Sequence, residues 1–223
     1  DQTGLSQKGG AVVSDLIISS EPVDGSNRVP EGEVDLYLVF DILVGVNPLN
    51  LVGNDPERTV AVVSTAQVAT GQVVSHVGLD LPDISIMRAG IDATSRGALN
   101  TYLDAPTIAK RLFGTGSGAN VLLLGVAYQL GLIPVSASSI ERALELNGAA
   151  VEMNRQAFRF GRLFVQEPAR LAPHLAPAIT ASDSVAADVE DLVGNLGVDS
   201  ELGRLLAIRV PDLIAYQDIH YAR

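Results

Sequence analysis

Gly4-Leu5-Ser6-Gln7-Lys8-Gly9-Gly10 is the stretch of this sequence best equipped to hold an anion. Clustered glycines let backbone N–H groups approach a ligand closely, while Lys8 supplies a charge and Gln7 a hydrogen bond. The competing reading is a tight turn that delivers the chain into the apolar run after it. Gly114-Thr115-Gly116-Ser117-Gly118 stands before a predicted helix, whose free N–H groups would also attract an anion. Its plainer alternative is a helix C-cap at Gly114 followed by a flexible link. Arg155, Arg159 and Arg162 recur at i, i+4 and i+7, with Glu152 as the nearby acid. Like charges so spaced repel by about 0.2–0.5 kcal/mol per pair, which a phosphate or an acidic partner would relieve. A solvated helix face is nevertheless the favoured reading of that stripe.

Other chemistries are missing. His76, His174 and His220 lie far apart, without helical partners at metal-ligand spacing. Neither a Gly-x-Ser-x-Gly elbow nor a Gly-x-x-x-x-Gly-Lys-Ser/Thr phosphate loop occurs. The sequence has no cysteine, so disulfides, thiolate catalysis and iron–sulfur ligation by its own side chains are excluded. A net charge of −11 and the lack of a basic stripe argue against nucleic acid as a partner. Apolar runs such as Val121–Val126 are far too short to span a membrane, and no signal segment follows Asp1. These features read as a cytoplasmic domain that opens in mid-fold, as a piece of something longer.

The elements that must position these residues follow from pattern and punctuation. Hydrophobic residues make up 47% of the 223 positions and aromatics 4%, a mixture suited to buried parallel strands overlaid by helices. Strands are predicted at Ala11–Ile18, Leu36–Phe40 and Thr59–Ser64, with a short edge strand at Leu99–Leu103. Asp41 is placed to cap a helix that Gly45 and Pro48 weaken, and residues 65–81 read as loop. Helices are predicted at Ile84–Arg96, from the Asp104 cap through Pro106 to Gly114, and over Asn120–Leu130. Ser138-Ser139-Ile140-Glu141 reads as a capping box for a helix ending at Asn147-Gly148. The helix from Ala149 to Val165 would bury Ala150, Met153, Ala157, Phe160 and Phe164. Prolines at 168, 173 and 177 mark residues 166–183 as a linker to a helical appendage over residues 184–223, with stretches at 184–193 and 201–221.

Several of these segments together resemble the γ-type domain of 2-oxoacid:ferredoxin oxidoreductases, and most closely the fused bacterial indolepyruvate ferredoxin oxidoreductases. The likeness starts at Gly4–Ser14 and continues through Asn120-Val121-Leu122-Leu123-Leu124-Gly125 and Gly131-Leu132-Ile133-Pro134. It is densest from Ile140 to Asn154, then at Ala157-Phe158 and Gly161-Arg162, with a last echo at Ala215-Tyr216-Gln217-Asp218. The resemblance implies a three-layer α/β/α domain with a largely parallel or mixed sheet over residues 1–165. Members place a strand, a Gly-rich turn and a helix before the Gly4 loop, so the N-terminal unit reads as missing, and the sheet edges it would cover as open to a second copy in a homodimer. Pro211 departs from the uninterrupted helix the resemblance leads one to expect there.

By the same resemblance, the parent enzyme oxidatively decarboxylates a 2-oxoacid with thiamine diphosphate. It passes electrons through 4Fe-4S clusters to ferredoxin and forms an acyl-coenzyme A. Those cofactors would be held by other domains or subunits, this segment binding none and being inactive alone. Gly4, Gln7, Lys8, Gly9, Gly10, Asn120, Asn147, Asn154 and Arg162 are the positions the resemblance marks as facing a ligand or a neighbouring domain. The rival readings are a free-standing nucleotide- or flavin-binding module and a purely structural interaction domain. The missing first strand–turn–helix, where dinucleotide folds hold pyrophosphate, counts against the former.

Overall fold

The computed structural model describes residues 12–22, 25, 28–67 and 82–175, together with residues 206 and 210. The chain divides into two units, Asp1–Leu175 and Ala176–Arg223. In the second, Leu206 and Val210 are helical, and Val210 is buried.

Strand β2 (Val60–Ser64), four apolar residues closed by Ser64, is buried at every position, as a strand covered on both faces must be. It lies between β1 (Leu36–Val39) and β3 (Thr101–Leu103), and both pairings are parallel. Leu36 faces Val60, and Val39 faces Val63. On the other side Val62 faces Thr101, and Ser64 faces Leu103. Side chains alternate across this sheet and so build two cores. On one face Val62 and Leu103 pack with α4 (Ala105–Phe113), α5 (Ala119–Gln129) and α7 (Val151–Gln166). On the other, Val39, Ala61 and Val63 pack with α1 (Ile42–Gly45) and α3 (Ile84–Ala93). Each fully buried Val, Leu or Ile contributes about 1.5–3 kcal/mol. The result is an α/β arrangement, a three-stranded parallel sheet with helices on both faces, in line with the three-layer domain with a largely parallel or mixed sheet that the resemblance implies.

Polar side chains tie the layers together at the strand starts. Asn100 Nδ2 donates to Asp92 Oδ1 at 2.7 Å and to Ser95 Oγ at 2.8 Å, while its Oδ1 accepts from Ala61 N at 2.7 Å. Tyr102 donates to the same Asp92 oxygen at 2.7 Å, and burial with that carboxylate pushes its hydroxyl pKa up. Tyr37 donates to Gly45 O at 2.9 Å, and burial pushes its pKa up to about 12.

The expected helix caps are present at Asp41, which accepts from Leu43 N, and at Asp104, which accepts from Thr107 N. Gly45 does end α1, and Asn47 caps the following α2 (Pro48–Leu51), which Pro48 opens. Four expectations need correction. Residues 12–18 form no strand: Val12, Leu16, Ile17 and Ile18 are exposed, and without a partner strand an apolar run has no ladder to join. Helix α6 (Ala137–Asn147) is capped by Ser136, which accepts from Ser139 N at 3.1 Å, so Ser138 and Glu141 form no capping box. Helix α7 buries Ala157, Phe158 and Gly161 rather than the stripe through Met153, Phe160 and Phe164, which stay half-buried, and Ala150 is exposed. The reason is a close approach to α5 at Gly161. Finally, part of the stretch read as linker is helical, α8 (Pro168–Leu175).

Candidate functional site

Helices α5 and α7 cross in backbone contact. A Cβ at Gly125 would strike the Phe158 carbonyl oxygen, and one at Gly161 would strike the Leu122 carbonyl oxygen. Only glycine at both places permits this approach. It brings Tyr128 and Gln129, in the last turn of α5, alongside Arg162, the residue after Gly161. The Arg162 Cζ lies 5.2 Å from the Tyr128 ring centroid and 5.8 Å from that of Phe158, in cation–π range of both. Arg162 Nε donates to Gln129 Oε1 at 3.1 Å, and Gln129 Nε2 donates to Gln166 Oε1 at 2.6 Å. Rings and amides thus fix the guanidinium plane. Its two terminal nitrogens have no partner among the described residues.

Gly131 (φ 78°) ends α5 with a left-handed turn in which Leu132 N donates to Ala127 O at 3.1 Å. The chain then rises as Ile133-Pro134-Val135 and walls an open cleft of about 410 Å³. Tyr128, Gln129, Gly131 and Arg162 complete its lining.

The rest of the arginine stripe is occupied. Arg159 donates to Glu141 through Nε at 3.0 Å and through one terminal nitrogen at 2.8 Å. Arg155 reaches Glu141 at 3.2 Å and Glu145 at 3.5 Å. The Arg159 hydrogen bonds, reinforced by Arg155, hold the Glu141 carboxyl below its ordinary pKa against the cost of burial, and Glu141 in turn raises the Arg159 pKa. Glu152, the acid expected nearby, instead accepts from Gln156 at 2.7 Å. The stripe is therefore not simply solvated: a preceding helix neutralises two members and leaves Arg162 aimed at the cleft. Sequence reading missed Glu141, Tyr128 and Gln129. Glu141 and Glu145, four apart on the helix before three spaced arginines, were the available signal.

The remaining candidate residues are scattered. Asn120 is exposed in the first turn of α5, and Asn147 is exposed at the end of α6. Asn154 Nδ2 donates to Ala149 O at 2.9 Å, bracing the corner where Ala150 sits in left-handed backbone at φ 43°. None of these asparagines lines the Arg162 cleft. Gly114 (φ 75°) caps α4, and Thr115 caps the short turn Gly116–Gly118 through Ser117 N at 3.3 Å, so that loop is built as a C-cap and link. Gly4, Gln7, Lys8, Gly9 and Gly10 lie outside the described residues, as do the side chains of His76, His174 and His220.

A parallel sheet clad by helices on both faces, with a cation-bearing cleft on one helical layer, defines an α/β domain. The family model for pyruvate ferredoxin/flavodoxin oxidoreductase matches residues 1–164, and the chain belongs to that family. No curated protein and no solved structure gives a match. Enzymes of the family use thiamine diphosphate and iron–sulfur clusters. This chain has no cysteine to ligate a cluster and no Gly-Asp-Gly…Asn-Asn run for a diphosphate-bound metal.

Proposed function

We propose that this chain is the structural and interface domain of a cytoplasmic, thiamine-diphosphate-dependent 2-oxoacid:ferredoxin oxidoreductase whose substrate is indolepyruvate. The family match over residues 1–164 supports the enzyme class, the resemblance to the fused indolepyruvate enzymes suggests the substrate, and the sequence lacks the cysteines an iron–sulfur cluster needs. Other domains or subunits hold the cofactors, ferredoxin accepts the electrons, and the assembly contains two copies of this chain. Its Gly4–Gly10 loop faces the neighbouring domains and contributes one cation, Lys8, to a coenzyme A or substrate anion. Asn120, Asn147, Asn154 and Arg162 contribute to the contact surfaces.

The nucleotide- or flavin-binding alternative meets a physical obstacle at three of the helix starts. Asp41, Asp83 and Asp104 place carboxylates on the first N–H groups of α1, α3 and α4. A phosphate seated at any of these would face a fixed negative charge where it needs a free donor.

Viologen reduction by the complete enzyme, with thiamine diphosphate, coenzyme A and a panel of 2-oxoacids, is the direct test. Indolepyruvate is expected to have the highest kcat/KM, and the 223-residue chain alone to be silent. Turnover by the isolated chain, or an enzyme indifferent to indolepyruvate, overturns the reading. In the same assay Lys8→Ala should cost roughly ten- to hundredfold in kcat/KM, the worth of one charge-assisted hydrogen bond.

A further inference from the structure

The Arg162 cleft is a place where the structure orients a positive charge that no carboxylate among the described residues neutralises. Arg155 and Arg159 are paired with Glu141 and Glu145, whereas Arg162 meets no carboxylate among the described residues. Its Nε is already committed to Gln129, so the side-on mode of binding a carboxylate is closed. The two terminal nitrogens remain, and they offer an end-on, two-point grip. Half-burial against Tyr128 and Phe158 removes part of the guanidinium's hydration, which strengthens whatever ion pair it then makes.

The walls limit the occupant. Ile133, Pro134 and Val135 are apolar, and Pro134 and Val135 are exposed. They bring an apolar surface directly beside the cation. The cleft is open to one side, whereas small-molecule sites enclose most of their ligand's surface. An open notch with one preset cation and an apolar lip suits a side chain carried on a polypeptide.

We propose that this notch docks a segment of another domain or subunit of the parent oxidoreductase, one presenting an Asp or Glu carboxylate next to an apolar side chain. The carboxylate seats end-on against Arg162, and the apolar neighbour covers Pro134 and Val135. The proposal rests on the reading of this chain as an interface domain, but not on the identity of the 2-oxoacid.

The experiment uses the complete enzyme carrying Arg162→Lys, treated with a zero-length carbodiimide and mapped by peptide mass spectrometry. An amine at this position couples to a carboxylate only within ion-pairing distance. Background is low because Lys8 and Lys110 are the only native lysines of this sequence. We expect one dominant cross-link, to an Asp or Glu outside these 223 residues, lost in high salt. In parallel, Arg162→Met, which keeps the stem and removes the charge, should raise amide exchange over residues 128–135 of the assembled enzyme about tenfold or more, with its melting temperature little changed. Coupling confined to Glu141 or Glu145, or to no carboxylate, overturns the proposal. So does unchanged exchange in Arg162→Met, or a raised KM for coenzyme A without any cross-link, which would assign the cleft to a small anion. Failure of the substrate reading is separately visible, as wild-type enzyme that ignores indolepyruvate while still forming the cross-link.

Discussion

The seam between α5 and α7 and the segment Val12–Ile18 are both rich in apolar residues, and they have opposite fates. In the seam, Leu122, Leu123, Val126, Ala157 and Phe158 are buried, because two helices meet with matched surfaces and glycines at the crossing. In residues 12–18 all the apolar side chains but the half-buried Val13 stand in solvent, Leu16 at 79% exposure. Hydrophobicity supplies a reason to be buried, but a partner surface with satisfied backbone groups decides whether burial occurs.

The sharpest way to break this contrast is at the crossing itself. Gly161→Val would force the helices apart against backbone atoms that cannot rotate away, and should cost about 3 kcal/mol or more, read as a shift in the denaturant midpoint. Next in size is Glu141→Ala, which leaves Arg159 without its carboxylate and Arg155 with Glu145 alone, and should cost about 1–3 kcal/mol. This part of the stability has a defined pH dependence. The Glu141 pKa is lowered by folding, so its contribution is complete above its ordinary value near 4.5 and fades as pH falls through the depressed folded value. Urea titrations of wild type and Glu141→Gln should therefore run parallel at neutral pH and converge in acid. Removing a cap comes third: Asp104→Ala should cost about 1 kcal/mol by the same assay. Smallest is Ile17→Asp, expected to change the stability of the 223-residue chain by less than about 0.5 kcal/mol. A loss comparable to that of Gly161→Val would show that residues 12–18 are as firmly packed as the seam.

Much of the sheet and most helix boundaries could be read directly from residue order. Val60-Ala61-Val62-Val63 is an uninterrupted apolar run between turn signals, and Asp104 with Pro106 announces a helix start by local chemistry alone. What escaped depended on tertiary partners. Three serines, Ser136, Ser138 and Ser139, competed for one cap, and hydroxyl geometry rather than sequence spacing selected the first. The buried face of α7 was misplaced because a helical wheel cannot show that Gly161 is the point of contact. Glu141 lies 18 positions from Arg159, and only the left-handed corner at Gly148 and Ala150 folds one helix back over the other. Of the candidate site, Arg162 was named through its helical spacing and through resemblance, but Tyr128 and Gln129, which help to orient it, come from a helix more than 30 residues earlier. The Gly4–Gly10 loop lies outside the described residues.

The two glycines at the helix crossing have a consequence for sequence variation. Each excludes a side chain because of the same interhelical distance, so enlarging either residue separates the helices and removes much of the reason for the other to stay small. Alanine at Gly125 and at Gly161 should then be strongly sub-additive, with a double-mutant interaction energy of about 0.5–3 kcal/mol. Among related sequences the two sites are expected to change together or not at all. In a saturation library, a second substitution at the crossing should look almost neutral only in chains that already carry the first.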